Sequence, residues 1–334
     1  MTLARNLILI GANEPLGYSI LEQLEQRHEL YPGMEQLAAY DLKEASPIQK
    51  LDLADLNELE RALEGYGPET SVMNVAAYHN VDGAETPQGQ KESHRASVEG
   101  PRNLAHLARQ KKFRVIHLAT AYGYGKSDKG LFTEQDRLDP NCQYATDKVA
   151  GQHAIEEVGG WALVTEALYG PKGKHFIRAV LDKIYLEDTA AVVQDQTGSP
   201  TYTRDLATLF VTLAVSEQEV LPRGRIHAVN QGACSRAEWA EEAVRYLQRK
   251  KRLPPVARID RIGTDQFNNR EYNGRWKYHE QVRKGEDLTH VRLVAHRPIN
   301  CSLATPILNL HGLSLRPWKE ALHNYLDNEY RPPK

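Results

Sequence analysis

"NLILIGANEPLGYSI" (residues 6–20) is the stretch on which the fold turns. From Leu7 to Ile10 it is uninterruptedly apolar, as a strand buried on both faces must be, and it ends on Gly11. From Tyr18 the apolar positions fall at helical spacing through "YSILEQLEQR" (18–27). A strand running through a glycine turn into a helix is the opening of a nucleotide-binding βαβ unit. Gly11 permits the tight turn and Gly17 permits the helix to pack close to the strand. The middle glycine of the usual G-x-x-G-x-x-G spacing is absent. Glu14 stands there, an acid where a pyrophosphate would approach. A plain strand–turn–helix corner could carry the same two glycines, so the turn must be read in context.

That context is a repeating alternation. Strand patterns recur at "MEQLAAYD" (34–41), "TSVMNVAAY" (70–78), "RVIHLAT" (114–120) and "WALVTEALYG" (161–170). Helical patterns lie between them at "LNELERALEGYG" (56–67), "SHRASVEGPRNLAHLARQK" (93–111) and "YATDKVAGQHAIEEV" (144–158). Units of this size predict an α/β fold: a Rossmann-type, doubly wound parallel sheet with its ligand at the carboxyl ends of the strands. Beyond about residue 170 the alternation breaks. We expect a dinucleotide-binding domain over 1–170 and a smaller C-terminal substrate-binding lobe over 171–334, with some segments crossing back. The stretch 253–295 has poor periodicity and reads as an excursion on the substrate side or at a subunit contact.

Composition narrows the class. Of 334 residues, 41% are hydrophobic and 26% charged, and the formal net charge is −2, which argues against a general nucleic-acid binder. The basic runs "RQKK" (109–112) and "RKKR" (249–252) each follow a helical stretch and read as solvated helix ends rather than binding patches. No apolar run approaches the ~18 residues of a membrane span, and the N-terminal residues lead straight into a strand. Cys142, Cys234 and Cys301 are too scattered for a disulfide framework or a metal cluster. The expectation is a reduced, cytoplasmic protein without a metal.

Two acids and one pair of side chains carry chemistry. Asp41 ends the second strand, where a carboxylate accepts from ribose hydroxyls and repels a 2′-phosphate, so NAD is favoured over NADP. Asp52, in "LDLAD", either faces an adenine edge or caps the helix at 56–65. In "YATDK", Tyr144 and Lys148 share a helix face, one turn apart. An ammonium beside a phenol lowers its pKa from about 10 and suits it to donate a proton to a carbonyl oxygen. Thr120, closing its strand, is placed to hold that oxygen. A surface Tyr–Lys pair is the plainer alternative.

On these motifs, together with "NVAAYHNVDGAE" (74–85), "EGPRNLAHLA" (99–108), "HLATAYGYG" (117–125), "LYGPKGKHF" (168–176), "VVQDQTGSPTYTRDLA" (192–207) and "HRPINCSL" (296–303), the chain resembles the extended short-chain dehydrogenases/reductases. Within them it is similar to the dTDP-4-dehydrorhamnose reductases, over nearly its whole length. The resemblance implies a cofactor domain with a small lobe closing over a nucleotide-linked sugar, and a catalytic trio of Thr120, Tyr144 and Lys148. It implies reduction of a keto group with NAD or NADP, in an enzyme that can form a homodimer. A non-catalytic dinucleotide-binding regulatory subunit and a nucleotide-sugar epimerase or dehydratase are the alternatives.

The candidate cofactor residues are Gly11, Asn13, Glu14, Pro15, Leu16, Gly17, Asp41, Asp52, Leu53, Ala76, Ala77, Tyr78, Tyr144 and Lys148. Those toward substrate are Tyr78, Val81, Thr120, Ala121, Tyr122 and Ala167. Several positions depart from the family's pattern. Ser97 stands where Asn is common, Ala119 and Ala121 flank Thr120 where Ser and Asp are usual, and Ala167 replaces an aromatic of the sugar pocket. Val164 and Glu166 also depart. The trio is kept while the pocket around it is rewritten, which points to a different substrate.

Overall fold

Alternate residues of the first strand, β1 (Asn6–Ile10), bury on opposite faces: Leu7 and Leu9 in one core, Ile8 and Ile10 in another. A period of two with both faces apolar is what a central parallel strand requires. The structure is a computed structural model that describes residues 6–26, 36–41, 48–125, 127, 130–216, 218–278, 281 and 290–333. After β1 come α1 (Pro15–Gln26), β2 (Gln36–Asp41), β3 (Gln49–Lys50), α2 (Leu56–Ala62), β4 (Thr70–Asn74), α3 (Pro87–His94), α4 (Gly100–Lys111), β5 (Arg114–Thr120), α5 (Gln143–Glu157) and β6 (Trp161–Thr165). They are followed by β7 (Leu168–Tyr169), α6 (Phe176–Glu187), β8 (Thr189–Val193), β9 (Thr197–Gly198), β10 (Thr201–Tyr202), α7 (Thr203–Val215) and β11 (Gly224–His227).

Seven strands form one parallel sheet in the order β11-β6-β5-β4-β1-β2-β3. The order reverses at β1, so the ends of β1, β4 and β5 open a crevice there. On one face α1 and α7 bury Leu16, Ile20, Leu206 and Phe210 against Leu7, Leu9, Ile116 and Leu163. On the other, Leu59, Leu104, Leu107 and Ile155 of α2, α4 and α5 cover Ile8, Ile10, Val72 and Val115. The seventh strand comes from beyond residue 170, as does α7, whose Thr203 hydroxyl accepts from Ser19 of α1 at 2.8 Å in the interior. The second half of the chain thus completes the first-half sheet before building its own core.

That second core gathers Tyr169, Tyr202, Trp239, Tyr325 and Tyr330 among α6, α8 (Arg236–Arg249) and the helix Trp318–Asn328. The expected helix over 93–111 is interrupted. Arg95–Glu99 forms a π turn between α3 and α4, and Gly151 of α5 packs onto it so closely that a Cβ there would lie 2.1 Å from the Ser97 carbonyl. Within the excursion 253–295, the described residues include the strand Arg258–Ile262 beside β8 and the helix Thr264–Glu271. Residues 279–280 and 282–289 fall outside the described residues.

Two devices anchor this region to the rest. Asp195 accepts from both the backbone N–H and the hydroxyl of Thr264, at 2.8 and 2.7 Å. Asp82, nearly buried, accepts from Ala295 N at 3.0 Å and from Arg297 at 2.7 Å. Asp82→Ala removes the one oxygen, Oδ1, that accepts both bonds and takes away the guanidinium's carboxylate partner. The expected loss is about 2 kcal/mol, the scale of hydrogen bonds to a charged group. Urea denaturation measures it, and a loss under about 0.5 kcal/mol would show that this anchor does not hold the two halves together.

Candidate active site

At the end of β1 the backbone turns through Gly11 at φ +90°, a region that disfavours any side chain. A Cβ at Gly11 would lie 2.4 Å from Ala76 N, and one at Gly17 would lie 2.1 Å from the Gly11 carbonyl. The turn therefore rests directly on the backbone leaving β4 and on its own helix. The Gly11 and Ala12 amides donate to Tyr40 O of β2, and Asn13 N donates to Asp41 Oδ2 at 3.1 Å. Pro15 opens α1, and Leu16 is buried behind the turn. Gly11, Asn13, Pro15, Leu16, Gly17, Asp41 and Ala76 are thereby brought to one crevice. Its glycine floor, its strand-end carboxylate and the buried ammonium of Lys148 suit a dinucleotide.

Glu14 does not stand alone. Its Oε2 lies 2.7 Å from Nε2 of His79, in the loop after β4. Its charge also supports the Lys148 ammonium, whose pKa burial pulls down to about 8. Lys148 is 4% exposed and donates to Leu118 O at 3.0 Å. Beneath it, burial holds His117 neutral, with the Lys148 charge acting the same way. Asn74 fixes that ring: its Oδ1 accepts from Ala76 N, which turns its amide N–H toward His117 Nδ1 at 3.1 Å.

Thr120 ends β5, its hydroxyl accepting from Tyr122 N at 3.3 Å and favouring the ionised form of the Tyr144 phenol. Tyr144 sits one turn before Lys148 on α5. The phenol, expected to be acidified by its lysine, is instead pushed above its ordinary value by burial, with Tyr122 adding to the effect. Removing water disfavours phenolate, and Thr120 works against that. Tyr122 packs edge-on against Tyr144, ring centres 5.8 Å apart, and its own phenol is pushed up to about 12 by burial.

Tyr122 is also the wall through which this centre meets a cavity of about 1120 Å³. Ala167, Phe176, Arg236, Trp239, Tyr272 and Arg297 line it further out. Ala167 holds φ +45°, and the absence of a larger ring there leaves the cavity wide. Arg236 donates to the buried Glu166 at 2.6 Å and lies over the Phe176 ring at 5.2 Å. Val81 packs beside Tyr122 and Tyr144.

Other expected positions lie elsewhere. Ala121 is fully buried with Tyr124, Phe132 and Val164, because the 3₁₀ turn Ala121–Tyr124 points it into the core and leaves Tyr122 at the cavity. Asp52 neither caps a helix nor stands free. It takes Arg95 at 2.7 Å and Ala54 N at 3.0 Å, while Asp55 caps α2. Leu53 is buried, its carbonyl accepting from Asn103. Tyr78 carries its hydroxyl over Gly83 and Gly89. His79, Asp82 and Arg297 lie within quoted motifs, yet only the fold gives them partners. Arg236 belongs to no motif.

Lys148 yields a sign that can be checked. Its pKa of about 8 lies below the ordinary 10.5, so between these values the unfolded chain binds more protons. Stability therefore rises with pH across that window, and below it the buried charge costs roughly 3 kcal/mol at full value. Lys148→Met is expected to stabilise the cofactor-free protein at pH 7 by about 1–3 kcal/mol, a gain that fades above pH 10. Chemical denaturation at both pH values tests this, and a destabilised variant at pH 7 would refute the strained-ammonium reading.

Comparison with known proteins agrees with this geometry. A family model described as "RmlD substrate binding domain" matches residues 5–331. A dTDP-4-dehydrorhamnose reductase of Aggregatibacter actinomycetemcomitans is 24% identical over 95% of this chain and 97% of its own. One from Mycobacterium tuberculosis is 30% identical over 70% and 72%. Among solved structures, a dTDP-4-dehydrorhamnose reductase of Clostridium acetobutylicum superposes with a TM-score of 0.76 at 24% identity, covering 96% of this chain and 98% of that one. One from Bacillus anthracis, in complex with NADP, gives 0.75 at 22%, covering 98% and 99%. By the match over nearly all its length, the chain belongs to the RmlD substrate binding domain family.

Proposed function

We propose that the chain is a nicotinamide-dinucleotide-dependent oxidoreductase of the short-chain dehydrogenase/reductase type, reducing a keto group of a nucleotide-linked sugar. One observation carries the reading: Thr120 closes a strand and Tyr144 stands one helical turn before a buried Lys148, with a large cavity beside them. The names of the curated relatives supply the substrate class. The dinucleotide supplies the hydride. Tyr144 donates the proton to the carbonyl oxygen, and Thr120 holds that oxygen in place. Lys148 binds ribose hydroxyls. Asp41, at the end of β2, favours NAD over NADP because a 2′-phosphate beside a carboxylate is repelled.

The main sheet and the second core hold the substrate between them, with Tyr122 at the joint. Ala167, where the resemblance implies an aromatic, and the Glu166–Arg236 pair support a sugar pocket of a different lining. The sugar reduced is accordingly expected to differ from that of the curated relatives.

A screen of keto-sugar nucleotides with NADH and NADPH identifies the substrate. Tyr144→Phe keeps the ring and its packing while removing the proton donor. Turnover is expected to fall by about 10²–10⁴, with dinucleotide affinity little changed. Equal turnover by wild type and variant would defeat the assignment of Tyr144. Dinucleotide binding with no keto substrate consumed, and a partner protein co-purifying, would make the chain a regulatory subunit.

A further inference from the structure

The turn at Gly11 presents an acid to the crevice, and the fold answers it from another element. Glu14 reaches across to His79, 65 residues later in the chain, and the imidazole remains half exposed. The charges facing this pair can be named. From β2, Asp41 is tied to Asn13 N of the same turn. From α5, Lys148 feels Glu14 directly. Beside His79, Tyr78 feels Glu92 of α3. With a neutral imidazole the crevice holds the carboxylates Glu14 and Asp41 against one ammonium. A pyrophosphate brings about two further negative charges to the turn's amides, and the free energy of placing them there depends on the protonation of the imidazole.

We infer that His79 is a cofactor-site residue: protonated, it offsets Glu14, so that dinucleotide binding takes up a proton. The inference rests on the reading of this crevice as a dinucleotide site. Its sign follows from linkage. An anion entering beside the pair favours imidazolium. Affinity is highest where the imidazole is charged. It weakens as pH rises and levels off once the complex has also lost the proton. Histidine is the side chain whose ordinary titration falls in this range. The missing middle glycine then becomes a pH-dependent element of the phosphate site.

The test is calorimetric titration of the purified protein with NADH and NADPH from pH 6 to 8.5, in buffers of unlike ionisation heat. Wild type is expected to take up a fraction of a proton near pH 7, with Kd rising about three- to tenfold from pH 6 to 8, the effect of one charge at a partly solvated distance. Lys148 contributes uptake at the upper end of the range, so variants separate the two. His79→Ala, at an exposed position that spares the fold, should bind weakly at every pH and lose the uptake near pH 7. Glu14→Gly should bind more tightly than wild type, chiefly at pH 8, with a shallower slope. Glu14→Gly combined with His79→Ala should recover binding that is flat between pH 6 and 7.5. If His79→Ala keeps the wild-type slope and proton uptake, the inference falls while the dinucleotide site stands. If no form binds either dinucleotide, the site reading falls and takes the inference with it.

Discussion

Three stretches of backbone meet at Gly11 with no room for a side chain between them. The carbonyl of Gly11 lies against Gly17, and the space a Cβ would need at Gly11 is taken by Ala76. This contact fixes the angle at which α1 leaves the sheet and brings the loop after β4 directly under the turn. Everything in the crevice follows from that closeness. The turn's amides are held by β2, the loop carries His79 to Glu14, and Asn74, at the end of β4, orients His117 beneath Lys148. An alanine at Gly11 would have to move either β4 or the helix, and both are packed into cores that change shape only at a cost of kilocalories.

Packing of this kind creates an electrostatic problem at Lys148. Its ammonium is almost wholly buried, bonded to one carbonyl and standing over a neutral histidine. Burial pulls its pKa down, and the Glu14 carboxylate works against that. The acid that looks misplaced at a phosphate turn therefore belongs to the charge balance of the lysine as well. The Tyr144 phenol faces the reverse situation, because burial keeps its proton on. In the cofactor-free protein the pair rests as phenol and strained ammonium, and groups that bind beside them will move both.

How much of this could be read from the chain depends on the range over which each signal acts. The strand pattern of β1, β4, β5 and β6 was legible because each is apolar on both faces, and position in a parallel sheet follows from that. Thr120, Tyr144 and Lys148 were legible because a strand end and one helical turn fix their relation locally. The Glu14–His79 contact spans 65 residues and Arg95–Asp52 spans 43, with no periodicity to announce either. Ala121 was misread for a local reason. A 3₁₀ turn after Thr120 rotates successive side chains by about 120° instead of the strand's alternation, so the residue next to Thr120 faces the core and the following one faces the cavity. The π turn at 95–99 was equally hidden, since its sequence "RASVE" is ordinary for an α-helix.

The two halves of the chain cannot be separated cleanly, and this bears on how the cavity is built. β11 and α7 belong in sequence to the second half, yet β11 extends the main sheet beside β6 and α7 packs on α1. A lobe whose own chain is woven into the neighbouring sheet has little freedom to swing as a rigid body. Thr264–Glu271 and the segment ending at Arg297 are tied to the rest through Asp195, Gln196 and Asp82. They supply Tyr272 and Arg297 to the outer wall, whereas the Tyr122 wall beside Tyr144 stands on the sheet itself. The Tyr122 end of the cavity thus stands on the sheet, while its outer end stands on segments tied in by side chains.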